Sequence, residues 1–253
     1  MNLKSKNPFL GSKTFNNTSR SIEDTTVITY EDTMTVNGTI NKSYILLATL
    51  LTSALISWFL AYMGYNPMLL TVGGGIVGFV LVLIASFKPQ TSTWVAPGYA
   101  LFEGLFIGGI SAFFEAAYPG IVIQAVSCTF VTFIVCFALY KYQIVKVTEK
   151  FKSIVIAATL AIFSYYLITW ILSFFINFQP IHAGNSLLSI GVSIFVIIIA
   201  ALNLFLDFDL IEKGAQRQLP KYMEWFSAMG LMITLVWLYV EFLRLLAKLS
   251  SRD

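Results

Sequence analysis

The chain has 253 residues, of which 57% are hydrophobic and only 11% charged, with a net charge of +3 and a mean hydropathy of +0.78. A water-soluble domain carries about 25% charged residues, so the composition excludes one and places the protein in the membrane class. No basic block forms a nucleic-acid footprint. Two cysteines, Cys128 and Cys136, lie in one apolar run; on a helix they stand ~12 Å apart, too far for a disulfide. The single histidine, His182, cannot complete a zinc site with them.

Residues 1–43 are polar, rich in Asn, Thr, Ser and Lys, and read as a largely disordered tail. They contain no apolar h-region, so the first membrane segment is expected to act as the insertion signal. From 44 to 250 the expectation is an all-α integral membrane domain of seven transmembrane helices, at roughly 44–63, 68–87, 97–117, 121–141, 153–176, 186–209 and 226–248. The connections "GYNP" and "YPG" are so short that segments 1–2 and 3–4 must be antiparallel hairpins. Pro67, Pro97 and Pro119 fall near expected helix starts, where a missing N–H does no harm. Gly74 and Gly78 in segment 2, and Gly104 and Gly108 in segment 3, are spaced for close helix packing rather than for a phosphate loop, since no strand precedes them.

The basic residues set an orientation. Lys4, Lys6, Lys13, Arg20 and Lys42 lie in the tail, Lys88 between segments 2 and 3, Lys141, Lys146, Lys150 and Lys152 between 4 and 5, and Lys213, Arg217 and Lys221 between 6 and 7. The other three connections carry no Lys or Arg, so the amino terminus is expected in the cytoplasm. Arg244, Lys248 and Arg252 then fall on the opposite side, against the rule.

Acids within the apolar segments cost ~2.5–3.5 kcal/mol each on insertion scales and mark functional positions. Glu115, beside Tyr118–Pro119, reads as an end-of-helix charge reaching the interface, and Glu103 stands about one turn inside segment 3. Asp207 closes segment 6, and Glu241 lies in "LVWLYVEFLRLL". Two carboxylates in contact cannot both ionise cheaply, so an Asp207–Glu241 pair would share a proton and hold two helices together while it keeps it. Asp209 cannot join them: two residues along a helix it points about 200° away, toward Lys213 four residues on.

"ALNLFLDFDLIEKG" followed by "MEWFSAMGLMITLVWLYVEFLRLLAKL" resembles the last two helices of the Bax-inhibitor family, in its bacterial YccA-like branch, and "YALFEGLFIGGIS", "YPGIVIQA" and "LYKYQIVKVTEKF" extend the match over roughly 34–250. The resemblance implies seven helices with helix 7 near the centre and a proton-sensitive calcium leak gated by two acids, which fall on Asp207 and Glu241. Supporting roles fall to Asp209, Glu103 and Arg244, the last because segment 2 carries no arginine to partner the acids. Calcium takes six to eight oxygens, so no high-affinity metal site is expected, only a weak one at Asp207 and Glu241. No cofactor and no enzymatic activity are expected; calcium is the permeant ion and the proton the regulator. The resemblance also implies a bacterial cytoplasmic membrane and a second role: control of a membrane-anchored AAA protease through the cytoplasmic tail. Asp207 and Glu241 reach one depth only if 222–229 lies along the interface and helix 7 starts later.

Overall fold

The computed structural model describes residues 33–176 and 180–252, and all contacts below lie within the unit Met34–Asp253. The residues 1–32 of the polar tail lie outside the described residues. Seven helices follow in order: α1 (Val36–Tyr62), α2 (Met68–Phe87), α3 (Ser92–Ala117, entered through a 3-10 turn at Pro89–Thr91), α4 (Ile121–Lys141), α5 (Glu149–Leu172), α6 (Leu187–Gln216) and α7 (Tyr222–Ser250). Each is long and apolar enough to cross a bilayer. The protein is therefore an all-α integral membrane protein.

Local chemistry fixes the helix ends. Thr35, in extended conformation, accepts the Gly38 N–H on its Oγ1 at 2.9 Å and so starts α1 at Val36, rather than near 44. Thr148 and Ser186 cap α5 and α6 in the same way, through the N–H groups of Phe151 and Ser189. Gly120 takes a left-handed φ of 85° in the α3–α4 turn, where a side chain would be strained. The Glu115 carboxylate caps α4 there, accepting the N–H groups of Gly120 at 2.7 Å and Val122 at 3.1 Å. Pro97 is not at a helix start: the turn at Pro89 begins α3 earlier and leaves Pro97 inside it. α6 and α7 both run past the expected bounds, to Gln216 and from Tyr222, because their polar ends remain helical.

α7 is the central helix. It packs against α1, α3, α4 and α6, and it buries Leu238, Leu243, Met229 and Met232 almost completely. α2 packs on α3, and α5 on α6. The α1–α3 and α2–α3 seams are closed by glycine. A methyl at Gly74 would strike the Phe102 backbone carbonyl, and one at Gly104 or Gly108 the carbonyls of Leu50 or Ala54. The small-residue spacing read from the sequence thus serves direct backbone contact between helices.

Candidate functional site

The acidic and basic side chains of α6 and α7 occupy three levels, and the antiparallel register of the two helices fixes them. At one end Lys248 on α7 donates to Ser189 O and Ser193 Oγ on α6, at 3.2 and 2.7 Å. Further along, Asp207 on α6 faces Gly230 and Thr234 on α7, with Oδ1 3.9 Å from where a Gly230 Cβ would stand.

At the lysine-rich end the acids are fully paired. Asp209 is buried and takes Lys213 at 2.8 Å and Lys152 at 2.9 Å. The Lys213 partner is the one the helical spacing anticipates; Lys152, from the first turn of α5, is added by the fold. Glu212, one turn before Gln216, receives the hydroxyl of Tyr140 on α4. Glu224, in the first turn of α7, is completely buried. It accepts the Thr35 N–H at 2.9 Å and the Thr35 hydroxyl at 3.0 Å, and Lys42 stands 2.7 Å from its other oxygen. Sequence reasoning missed Glu224 by placing it in the 6–7 connection. A weak signal existed in the negative charge it adds to the first turn of a helix.

Asp207, at the middle level, has no counter-charge among the described residues. Its Oδ2 is shut away from the surface and has no hydrogen-bond partner among the described residues. The Thr234 hydroxyl reaches its carboxylate, but no Lys or Arg among the described residues is paired with it, whereas Asp209 and Glu224 each have a lysine.

Glu241 lies at the far level. Its Oε1 accepts Arg244 Nη1 at 3.1 Å and the Tyr166 hydroxyl at 3.4 Å, and the Arg244 guanidinium lies over the Tyr166 ring, 5.6 Å from its centroid. The side chain of Glu241 is 1% exposed, that of Arg244 45%. Arg244 is thus a cation paired with Glu241, and none of the contacts found joins it to Asp207. His182 closes this level from the α5–α6 connection: its Nδ1 is 3.1 Å from the Tyr165 hydroxyl, and its ring packs edge-on against Tyr165 and Tyr166. Burial against these rings holds the His182 imidazole below the usual histidine range, and the Arg244 and Lys248 charges act in the same direction.

The structure does not bring Asp207 and Glu241 together. Helix α7 starts at Tyr222, so no interfacial stretch delays it. Glu241 is seven residues beyond Thr234, and the register separates the two carboxylates by at least ~10 Å along the axis at 1.5 Å per residue. A calcium ion needs its oxygens at about 2.3–2.6 Å, so the two acids cannot share an ion in this arrangement. Among the described residues no group of three or more His, Cys, Asp or Glu is placed to hold a metal ion. Glu103 sits on the α2–α3 seam, its Oε2 against Gly78.

A comparison with curated proteins finds no match to this chain. The family model described as "Bax inhibitor 1 like" matches residues 7–251, nearly the whole chain. With this match over a bundle whose seven described helices include a central α7, the protein belongs to the Bax inhibitor 1 like family.

Proposed function

We propose that the protein is a pH-regulated cation leak in which Asp207 carries the controlling proton. The observation that carries this reading is the isolation of Asp207: a carboxyl oxygen enclosed between two membrane helices with no counter-charge. As a neutral acid it fits an apolar seam; as an anion it would attract a cation or water, and either would part α6 from α7. Calcium as the permeant ion follows from the family resemblance, and a single carboxylate would hold it weakly and partly hydrated, as conduction requires. Glu241 is a second, independent element here: an acid already neutralised by Arg244, placed to pass or block ions at the far end rather than to share the Asp207 proton.

The test is calcium uptake into proteoliposomes across pH, with wild type and Asp207→Asn. Flux in the wild type that rises with pH, and flux without that dependence in the variant, is the expected result. The same pH profile in both would remove Asp207 from the mechanism.

A second reading is a regulatory membrane protein of the YccA-like kind that engages a membrane-anchored AAA protease through its amino-terminal segment. One observation favours it: Thr35, where that segment joins α1, is bonded twice by Glu224 of the central helix. A pull on the segment would be felt by α7 directly. Deleting residues 1–30 and following protease co-purification and calcium flux in parallel separates the two roles.

A further inference from the structure

The far end of α7 sets two cations close to one buried acid. Arg244 and Lys248 on α7 lie near Glu241, and Lys248 donates to Ser189 O and Ser193 Oγ of α6. α5 contributes Tyr166 and Trp170, both uncharged, and the α5–α6 connection contributes His182. Beside these groups lies a cavity of about 410 Å³ lined by Tyr166, Thr169, Trp170, Ser173, His182 and Arg244, with Pro180 at its margin.

The donors of this cavity are specific in kind. The hydroxyls of Thr169 and Ser173 are spent on the carbonyls of Tyr166 and Trp170, at 3.0 and 2.6 Å, so they offer lone pairs but no proton. The guanidinium of Arg244 has five N–H groups, of which one is used on Glu241. The Nδ1 of His182 is 3.1 Å from the Tyr165 hydroxyl; in the tautomer where it accepts that hydroxyl, Nε2 carries a hydrogen to donate. A planar cation with several free N–H groups, backed by a second cation and walled by aromatic rings, is chemistry for an oxyanion, above all a phosphate.

The depth of the cavity agrees. Trp170 is 60%, Phe174 68% and Phe175 80% exposed on the last turn of α5 and just after it. Large aromatic side chains presented outward at a span end mark the level of lipid headgroups.

We propose that this cavity binds a phosphate group through Arg244 and His182, the phosphate belonging either to the headgroup of an anionic phospholipid or to free inorganic phosphate. The bound anion would engage the N–H groups of Arg244 that Glu241 leaves free.

The test uses the full chain, purified in detergent with phosphatidylglycerol or phosphatidylcholine and examined by native mass spectrometry, with and without millimolar inorganic phosphate. Wild type should retain phosphatidylglycerol in preference to phosphatidylcholine, and Arg244→Gln should lower that retention about tenfold, the loss of a charge-assisted contact. Arg244→Lys should recover part of it, since it keeps the charge and loses the fork. Retention undisturbed by inorganic phosphate assigns the site to the headgroup; displacement of the lipid by phosphate, or thermal stabilisation of the wild type but not of Arg244→Gln by phosphate alone, assigns it to the free anion. Equal retention by wild type and Arg244→Gln, with no effect of phosphate, overturns the proposal. Should Arg244→Gln not fold, Ser173→Leu fills the cavity without altering a charge; undiminished retention in that variant is equally fatal.

Discussion

Two acids on the central helix pair, Glu224 and Asp207, sit in opposite circumstances. Glu224 is fully enclosed, yet Lys42 and two groups of Thr35 converge on it. Asp207, about two helical turns deeper by the helix register and in the α6–α7 seam, has an enclosed oxygen with no partner among the described residues and no counter-charge. The first arrangement spends its charge on holding α1 to α7. The second leaves a charge to be made or unmade. Polarity inside a membrane protein is therefore informative by its partners and not by its depth.

Removing one side of the paired site should have the largest effect. Glu224→Ala leaves Lys42 and the Thr35 N–H without their acceptor, and loss of one member of a buried ion pair costs about 3–5 kcal/mol. Chemical unfolding in micelles should show it, and a loss below ~1 kcal/mol would mean that the clamp adds nothing beyond packing. Arg244→Met should come next. It strips the buried Glu241 of its cation, but Arg244 is half-exposed, so about 1–3 kcal/mol is expected in the same assay. Asp207→Asn should be nearly silent in stability, within ~1 kcal/mol, because the amide is close in shape to the neutral acid and no ion pair is broken. Its effect belongs to flux against pH. A large destabilisation instead would show that Asp207 has a counter-charge and that the contrast with Glu224 is false.

The smallest effect concerns His182. Its folded-state pKa lies below the ordinary value of ~6.5, so between the two values the unfolded chain binds more protons than the folded one. Stability should fall as pH drops below about 6.5 and that slope should flatten in His182→Gln. Thermal unfolding of both proteins between neutral and mildly acid pH measures it; parallel curves would mean that neither burial nor the Arg244 and Lys248 charges hold the imidazole down.

The fold was open to sequence reasoning because each span is a long apolar run between polar connections, and hydrocarbon tolerates little else but a helix there. The errors concentrate where polar residues stay helical beyond the apolar run, as at Asn37–Lys42, Glu212–Gln216 and Tyr222–Glu224. Asp209 with Lys213 was legible because both lie on one helix, four residues apart. Glu224 with Thr35 was not, since 189 residues separate them and no local pattern encodes their meeting. Asp207 and Glu241 illustrate a third case. Counting along the helices already set them at unequal depths, and it was the resemblance of motifs that drew them together; the register of Lys248 on Ser193 sides with the count.

The glycine contacts of α3 have a mechanical consequence. Where Gly104 and Gly108 rest on the carbonyls of Leu50 and Ala54, and Gly74 on that of Phe102, main chain touches main chain. Side chains can change rotamer to let helices slide or roll; main chains in contact cannot. Helices α1 to α3 thus form a block that resists sliding, and displacement within the bundle falls to α4 to α7, the part that carries Asp207 and Glu241.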